Sequence, residues 1–329
     1  MESRLKFGDR LGALKVRWAI GRMNYKVDPG LYALGAPDAD SPVFATANFK
    51  MSFDLLREAL PCTNAWILVL DTDGINVWCA AGKGAFGTGE LAGRIETSGL
   101  AAVVRHRKVI VPQLGASGVS AHEVQSLSGF KVVYGPVRAA DLPVFMDSGM
   151  KAAPGMRIKT FTIAERLSLV PVEVVHAFKL LLMVLPLLFL LSGFGGRGGF
   201  ASSALRLGGF SSLGLMLAIA AGCVLTPALL PWLPGRAFSI KGVWPGIVCA
   251  VVFLMLRNNA SGLPAAGIME SAAWMLIIAA VSSYMAMNFT GCSTFTSLSG
   301  VRKEMRFAVP AQIAGFSLGA VLWIICIFV

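Results

Sequence analysis

Charge is scarce in this chain. Only 14% of its 329 residues are Asp, Glu, Lys or Arg, against about 25% in an ordinary soluble domain, which excludes a wholly soluble protein. The shortage is uneven: charges are frequent as far as Lys179 and nearly vanish from Leu180 onward. Acid is scarcer than base, and the net charge of +11 suits a cytoplasmic membrane surface. No recognisable nucleic-acid motif accompanies it. The six cysteines form no Cys-x-x-Cys pair and no zinc or iron–sulfur spacing. Residues 1–18 lack a long apolar core, so they do not read as a secretory signal, and the charged half is expected in the reducing cytoplasm.

Long apolar runs are what the second half does have. Residues 174–191, 209–230, 242–256, 271–290 and 307–329 read as membrane spans, since crossing the hydrocarbon takes about 20 residues. The third is short and carries Pro245; it is expected to start earlier, with Lys241 snorkelling. With the first half inside, Arg236, Lys241, Arg302, Lys303 and Arg306 fall on inner loops, and Arg197, Arg206 and Arg257 on outer ones. No Asp, Glu, Lys or Arg occupies the centre of a span. Ion and proton pathways usually need such groups, so a pump is disfavoured.

The first half alternates strand-like and helix-like stretches. "PVFATANFK" reads as a buried strand, followed by the amphipathic helix "MSFDLLREAL". "NAWILVLD" is a second strand, "SGLAAVVRHRK" looks helical, "VIVPQ" is a third strand, and "SAHEVQSLS" then "FKVVYGPV" repeat the alternation. That order argues for a parallel sheet flanked by helices. Ligands on such sheets bind outside the carboxyl ends of the strands, where Thr46, Asn48, Asp71, Thr72, Gln113 and Gly135 fall. Residues 1–166 are expected to form this domain and 167–329 the membrane domain.

The stretch "LDTDGINVWCAAGKGAFGTG" leaves a strand through a tight turn that includes Gly74, and holds one cysteine. Its "GKGAFG", residues 82–87, matches G-x-G-x-x-G, but about a dozen residues separate it from the strand and no acid closes the third strand. Nor does "GK" make a phosphate loop, because Gly84 stands where Ser or Thr should follow. Cys79 remains. It is either a structural thiol or a soft donor at a helix start, with Lys83 one turn on, suited to a metal or a nucleophilic role.

"NVWCAAGKG" (residues 76–84) resembles the signature of the HgcA family, the membrane corrinoid proteins of microbial mercury methylation. "PVFATANFKMSFDLLR" and "RWAIGRMNYKVDPGLYALG" resemble that family's first strand and helix and its lead-in. The resemblance extends over the whole chain. It implies an α/β Rossmann-like corrinoid-binding domain, similar to that of the corrinoid iron–sulfur protein of acetyl-CoA synthesis, followed by an all-α transmembrane domain of five helices. The cofactor implied is a cobalamin-type corrinoid, with Cys79 on a cap helix as the lower axial cobalt ligand. No Asp-x-His-x-x-Gly occurs, so the usual histidine ligand is lacking; His106 and His122, in helix-like segments, and His176, ahead of a span, read as structural or solvated.

The same resemblance implies corrinoid-dependent methyl transfer from methyltetrahydrofolate to inorganic mercury(II) through a methyl-cobalt intermediate. The methyl group would leave as a carbanion equivalent or by a radical route. It implies a ferredoxin-like iron–sulfur partner, HgcB, to return cobalt to its low oxidation state. Asn76, Val77, Trp78, Ala80, Ala81 and Gly82 would shape the cap against the corrin ring, with Trp78 also readable as plain core. Thr46 and Asn48 would hydrogen-bond the cofactor or cap the helix at Ser52. Cys62, Cys223, Cys249 and Cys326 read as packing residues. Two rival readings stay open: a methyl carrier for acetyl-CoA synthesis, and a membrane transporter with a cytosolic sensor domain.

Overall fold

A computed structural model describes residues 1–195, 199–260, 265–292 and 298–328. The chain divides into two compact units, Met1–Thr160 and Phe161–Val329. In chain order the first unit comprises α1 (Phe7–Arg17), β1 (Gly30–Leu34), β2 (Val43–Ala47), α2 (Lys50–Glu58), β3 (Ala65–Leu70) and α3 (Val77–Lys83). It continues with α4 (Thr88–Thr97), α5 (Leu100–Val103), β4 (Lys108–Val111), α6 (Ala121–Ser128), β5 (Lys131–Tyr134) and α7 (Leu142–Asp147).

The five strands form one sheet in the order β1-β3-β2-β4-β5. The pairs β2–β3, β2–β4 and β4–β5 are parallel. β1 runs antiparallel to β3, with Gly30 opposite Val69 and Leu34 opposite Ala65. The sheet is therefore mixed, where the alternation of elements had suggested a purely parallel one. β1 escapes a sequence reading because four of its five residues are only half-buried, as on a sheet edge, and show no sharp apolar alternation.

Side-chain alternation explains the two layers. Val43, Ala45, Ala47, Leu68, Leu70, Val109 and Val111 point to one face and pack with residues of α3, α4 and α6. Phe44, Ile67, Val69 and Ile110 point to the other, against α2 and α7. Because both faces are covered, every residue of β2 is buried. Beyond the "GKGAFG" stretch the chain forms α4, which the sequence reading does not mark: Leu91 and Ile95 are buried one turn apart, while a Cβ on Gly89 or Gly93 would meet open space. The helix expected after it is only the four residues of α5. His106 lies beyond α5, its Nε2 2.9 Å from the Ser41 carbonyl oxygen.

From β2 the chain moves to β3 on one side, then crosses back to β4 on the other. This reversal parts the connections above β2 and β4 and opens a crevice at their carboxyl ends.

The second unit is helical: α8 (Ile163–Leu167), α9 (Val170–Gly193), α10 (Phe200–Ile219), α11 (Thr226–Leu229), α12 (Phe238–Asn258), α13 (Ile268–Met287) and α14 (Leu298–Phe328). Among the described residues, five helical stretches are long and apolar enough to cross a membrane. The third starts at Phe238, and Lys241 Nζ donates to the Leu230 carbonyl at 2.6 Å. Small residues bring α12 and α13 together: Gly242 and Gly246 lie against Ser282, whose hydroxyl donates to the Gly242 carbonyl at 2.7 Å. Arg302, Lys303 and Arg306 lie on α14, not on a loop. Arg197, residues 293–297 and Val329, which entered the span and loop assignments, are outside the described residues. Cys223 and Cys249 are buried as expected, but Cys62 is exposed, with a left-handed φ of 57°.

Candidate functional site

The crevice above β2 and β4 is a cleft of about 300 Å³. Its floor is Thr46 from β2, Ile110 from β4 and Gly135 just past β5. Leu55 and Leu56 of α2 form one wall. Asn76, Val77 and Trp78, at the start of α3, form the rim. Such a mostly apolar hollow with a few polar groups at its edge is the usual form of a small-molecule site.

Thr46, one of the few polar residues in the lining, is 3% exposed. Gly135 is close to Ile110: an added Cβ would sit 3.1 Å from Ile110 Cγ2. Any side chain there would fill the cleft.

The loop from β3 to α3 carries the rim, and Asn48 shapes it. Asn48 is 1% exposed. Its Oδ1 accepts from Thr72 N at 3.2 Å, Thr72 Oγ1 at 2.8 Å and Gly74 N at 2.9 Å. Its Nδ2 donates to Asp71 Oδ1 at 3.0 Å. Both Asp73 and Gly74 have left-handed φ, at 54° and 72°, and this amide pins that strained turn. Asp71 further accepts from Asp73 N and donates its own N–H to Glu90. Asn48 and Asp71 thus position the rim and do not line the cleft. Neither Thr46 nor Asn48 caps α2, which begins at Lys50 with Phe49 as its uncapped N-terminal residue.

Asn76 is the N-cap of α3: its Oδ1 accepts from Cys79 N at 2.9 Å. Cys79 sits in the first turn, half-buried and in no disulfide. It follows the rim residues without lining the cleft itself. Ala80 and Ala81 face the other way and are buried in the core with Phe86 and Val119. Gly82 and Lys83 are exposed, and Gln113 Oε1 accepts from Arg157 at 2.9 Å. Of the residues singled out from sequence, the fold gathers Thr46, Asn76, Val77, Trp78 and Gly135 around the cleft. It places Ala80, Ala81, Gly82, Lys83 and Gln113 off its walls.

Sequence reading missed Ser52, Leu55 and Leu56 on α2, and Pro136 and Leu142 beyond β5. The amphipathic pattern of α2 marks an inward face, but nothing in it separates core from cleft. Among the described residues no group of three or more His, Cys, Asp or Glu is placed to hold a metal ion.

Fold and site together define an α/β domain with a ligand crevice at a topological switch point, joined to a helical unit with five candidate spans. Residues 16–146, which include every wall of the cleft, match the CdhD family model, described as CO dehydrogenase/acetyl-CoA synthase delta subunit. Similar curated proteins are subunits gamma of the acetyl-CoA decarbonylase/synthase complex. The one from Methanopyrus kandleri is 33% identical over 125 residues, 37% of this chain and 26% of the relative. That from Methanocaldococcus jannaschii is 35% identical over 114 residues, 33% of this chain and 22% of the relative. A Methanosarcina mazei protein is 34% identical over 128 residues, 37% and 26% of the two chains. The chain thus spans about a quarter of the length of these relatives.

Proposed function

We propose that this protein binds a corrinoid over the switch-point cleft and uses it to transfer methyl groups, with inorganic mercury(II) as the acceptor. The observation that carries the reading is the coincidence of two things. The stretch similar to acetyl-CoA decarbonylase/synthase subunits contains the whole cleft, and its rim is Asn76, Val77 and Trp78, the three residues just ahead of Cys79.

The residues present fit such a group. A corrin is broad, flat and apolar on its faces, so it would lie across the mouth of the cleft, against Val77 and Trp78 and the wall of α2. A metal that arrives inside a macrocycle needs only one protein donor, and Cys79 is a thiol next to the rim on a capped helix. When bound, the corrinoid supplies a cobalt that can accept and release a methyl group, which is chemistry the protein's own side chains lack. The chain contributes the rest. Asn48 fixes the loop, Asn76 starts the helix that presents Cys79, and Thr46 offers a hydroxyl at the floor. Electrons to a bound corrinoid would come from a separate iron–sulfur protein, a reading supported by the lack of cluster-binding cysteine spacing in this sequence.

The second reading, a methyl carrier for acetyl-CoA synthesis, draws on the names of the similar proteins. The test separates the two. Full-length protein in detergent, loaded with corrinoid under reducing conditions, is expected to hold cobalt and show corrinoid absorption bands. Thr46→Trp, which fills the cleft, is expected to abolish both. With a methyl donor and a low-potential ferredoxin, methylmercury should form from mercury(II). Bound corrinoid with methyl delivery to an acetyl-CoA synthase and none to mercury would favour the second reading, and colourless protein would end both.

A further inference from the structure

Helix α1 buries one face and leaves the opposite one bare. Toward the domain lie Val16, 1% exposed, Asp9, bonded to Lys50 and Arg57, and Gly12, whose missing Cβ leaves room for the Tyr25 ring. At roughly 100° per residue, Phe7, Leu11, Leu14 and Trp18 fall within an arc of about 60° on the other side. They are 82%, 38%, 54% and 48% exposed. A single exposed apolar side chain needs no explanation, but a continuous stripe of four marks a surface that something covers.

Charge decides what covers it. Arg10 and Arg17 border the stripe on one edge, Lys15 on the other, and Arg4 and Lys6 precede it; all are exposed. Of the acids nearby, Asp9 is turned to the domain and held as above, and Glu58 on α2 is exposed, 4.0 Å from Arg10. Only Glu2 is an exposed acid in this stretch. An apolar stripe of Phe, Leu and Trp between cations is the pattern of a helix lying in a lipid interface, with rings at the acyl boundary and basic heads among phosphates. Among the described residues the same chain also carries five helical stretches long and apolar enough to cross a bilayer.

We propose that α1 is an interfacial anchor that lays the α/β domain on an anionic bilayer surface. Phe7, Leu11, Leu14 and Trp18 enter the headgroup–acyl boundary, and the flanking Lys and Arg side chains meet lipid phosphates. The proposal stands apart from what the cleft binds.

The test uses the full chain, labelled with 5-fluorotryptophan, in lipid nanodiscs. Of the seven tryptophans, Trp18 is assigned by the fluorine resonance that vanishes in Trp18→Phe. In discs containing phosphatidylglycerol, a doxyl-labelled lipid should broaden that resonance and a water-soluble gadolinium chelate should not. In discs of phosphatidylcholine alone, or at high salt, the two should approach parity. Leu11→Glu with Leu14→Glu should lower the docked population by at least about tenfold. The other six resonances should stay put, because both leucines point away from the core. Equal access of the chelate to Trp18 in both disc types overturns the proposal. So does shielding of Trp18 from both agents, which would mean that protein covers this face.

Discussion

Asn48 holds Gly74: the amide oxygen of one accepts the backbone N–H of the other at 2.9 Å, tying the end of β2 to the turn after β3. The Asn48 NH2 group is spent on Asp71, so the amide cannot be flipped without placing oxygen against carboxylate. Asn48→Ala should leave buried donors of Thr72 and Gly74 unmatched and cost about 3 kcal/mol. Asn48→Asp should cost at least as much, because a carboxylate would then face Asp71. Hydrogen exchange on the full chain checks this: amides of residues 71–80 should exchange much faster in both variants, with those of α7 unchanged.

The sheet was legible wherever a strand carried a compact apolar run rich in β-branched residues, the half-buried edge strand β5 included. β2, β3, β4 and β5 each stand out as compact apolar runs, and their carboxyl ends pointed to Thr46 and Gly135. β1 was not legible, because its sequence GLYAL opens on glycine and holds no β-branched residue. The role of Asn48 was hidden for another reason: its four contacts are with residues about 25 positions away, and periodicity carries no record of such pairings. Ala80 and Ala81 read as room for a ligand, yet small residues serve a crowded core equally well. Only the direction in which α3 faces separates the two uses.

Gly118 packs against the backbone of Phe86 and Ala81, where an added Cβ would run into the Phe86 carbonyl oxygen and lie 3.0 Å from the Ala81 carbonyl oxygen and 3.1 Å from its Cα. Backbone cannot step aside as a flexible side chain can. Gly118→Ala should therefore push α3 outward and weaken corrinoid retention, although Gly118 does not line the cleft. Gly129→Ala, where a Cβ meets open space at a left-handed φ of 73°, should cost about 1 kcal/mol of stability without touching retention. The amount of cobalt that co-purifies with each variant, set against its thermal stability, tests the contrast.

Asp9 joins α1 to α2 by accepting from Lys50 Nζ at 2.7 Å and Arg57 Nη2 at 2.8 Å, and Asp54 accepts from the same two cations. The hydrogen bond from Lys50 is the main cause that holds the Asp9 carboxyl far below the ordinary carboxylate range, against the opposing effect of burial. A depressed folded-state value means that the stabilisation is complete above the unfolded carboxylate value near 3.8. It fades as pH falls below that point toward the folded value. Opening of α1, followed by hydrogen exchange of residues 7–17, should be flat from pH 7 to about 5 and rise steeply below about 4. Asp9→Asn should raise opening already at neutral pH, by about 2 kcal/mol, and flatten the acid limb.

Cys79 gives the sharpest forecast, because its two readings diverge. It is half-buried at the first turn of α3, and the backbone N–H, not the sulfur, is engaged by the Asn76 cap. Cys79→Ala should thus keep the helix and leave at most a small cavity, within about 1 kcal/mol of the parent. If the thiolate ligates cobalt, this variant should still take up corrinoid. Its spectrum should move to that of a water-ligated cobalt, and methyl transfer to mercury(II) should fall by orders of magnitude. Cys79→His should restore a ligand but donate less charge, giving partial activity at most. Lys83→Ala should do less harm, since Lys83 is exposed and off the cleft. A merely structural thiol forecasts otherwise: Ala in its place would leave spectrum and rate together unchanged, and that paired result would remove Cys79 from the mechanism.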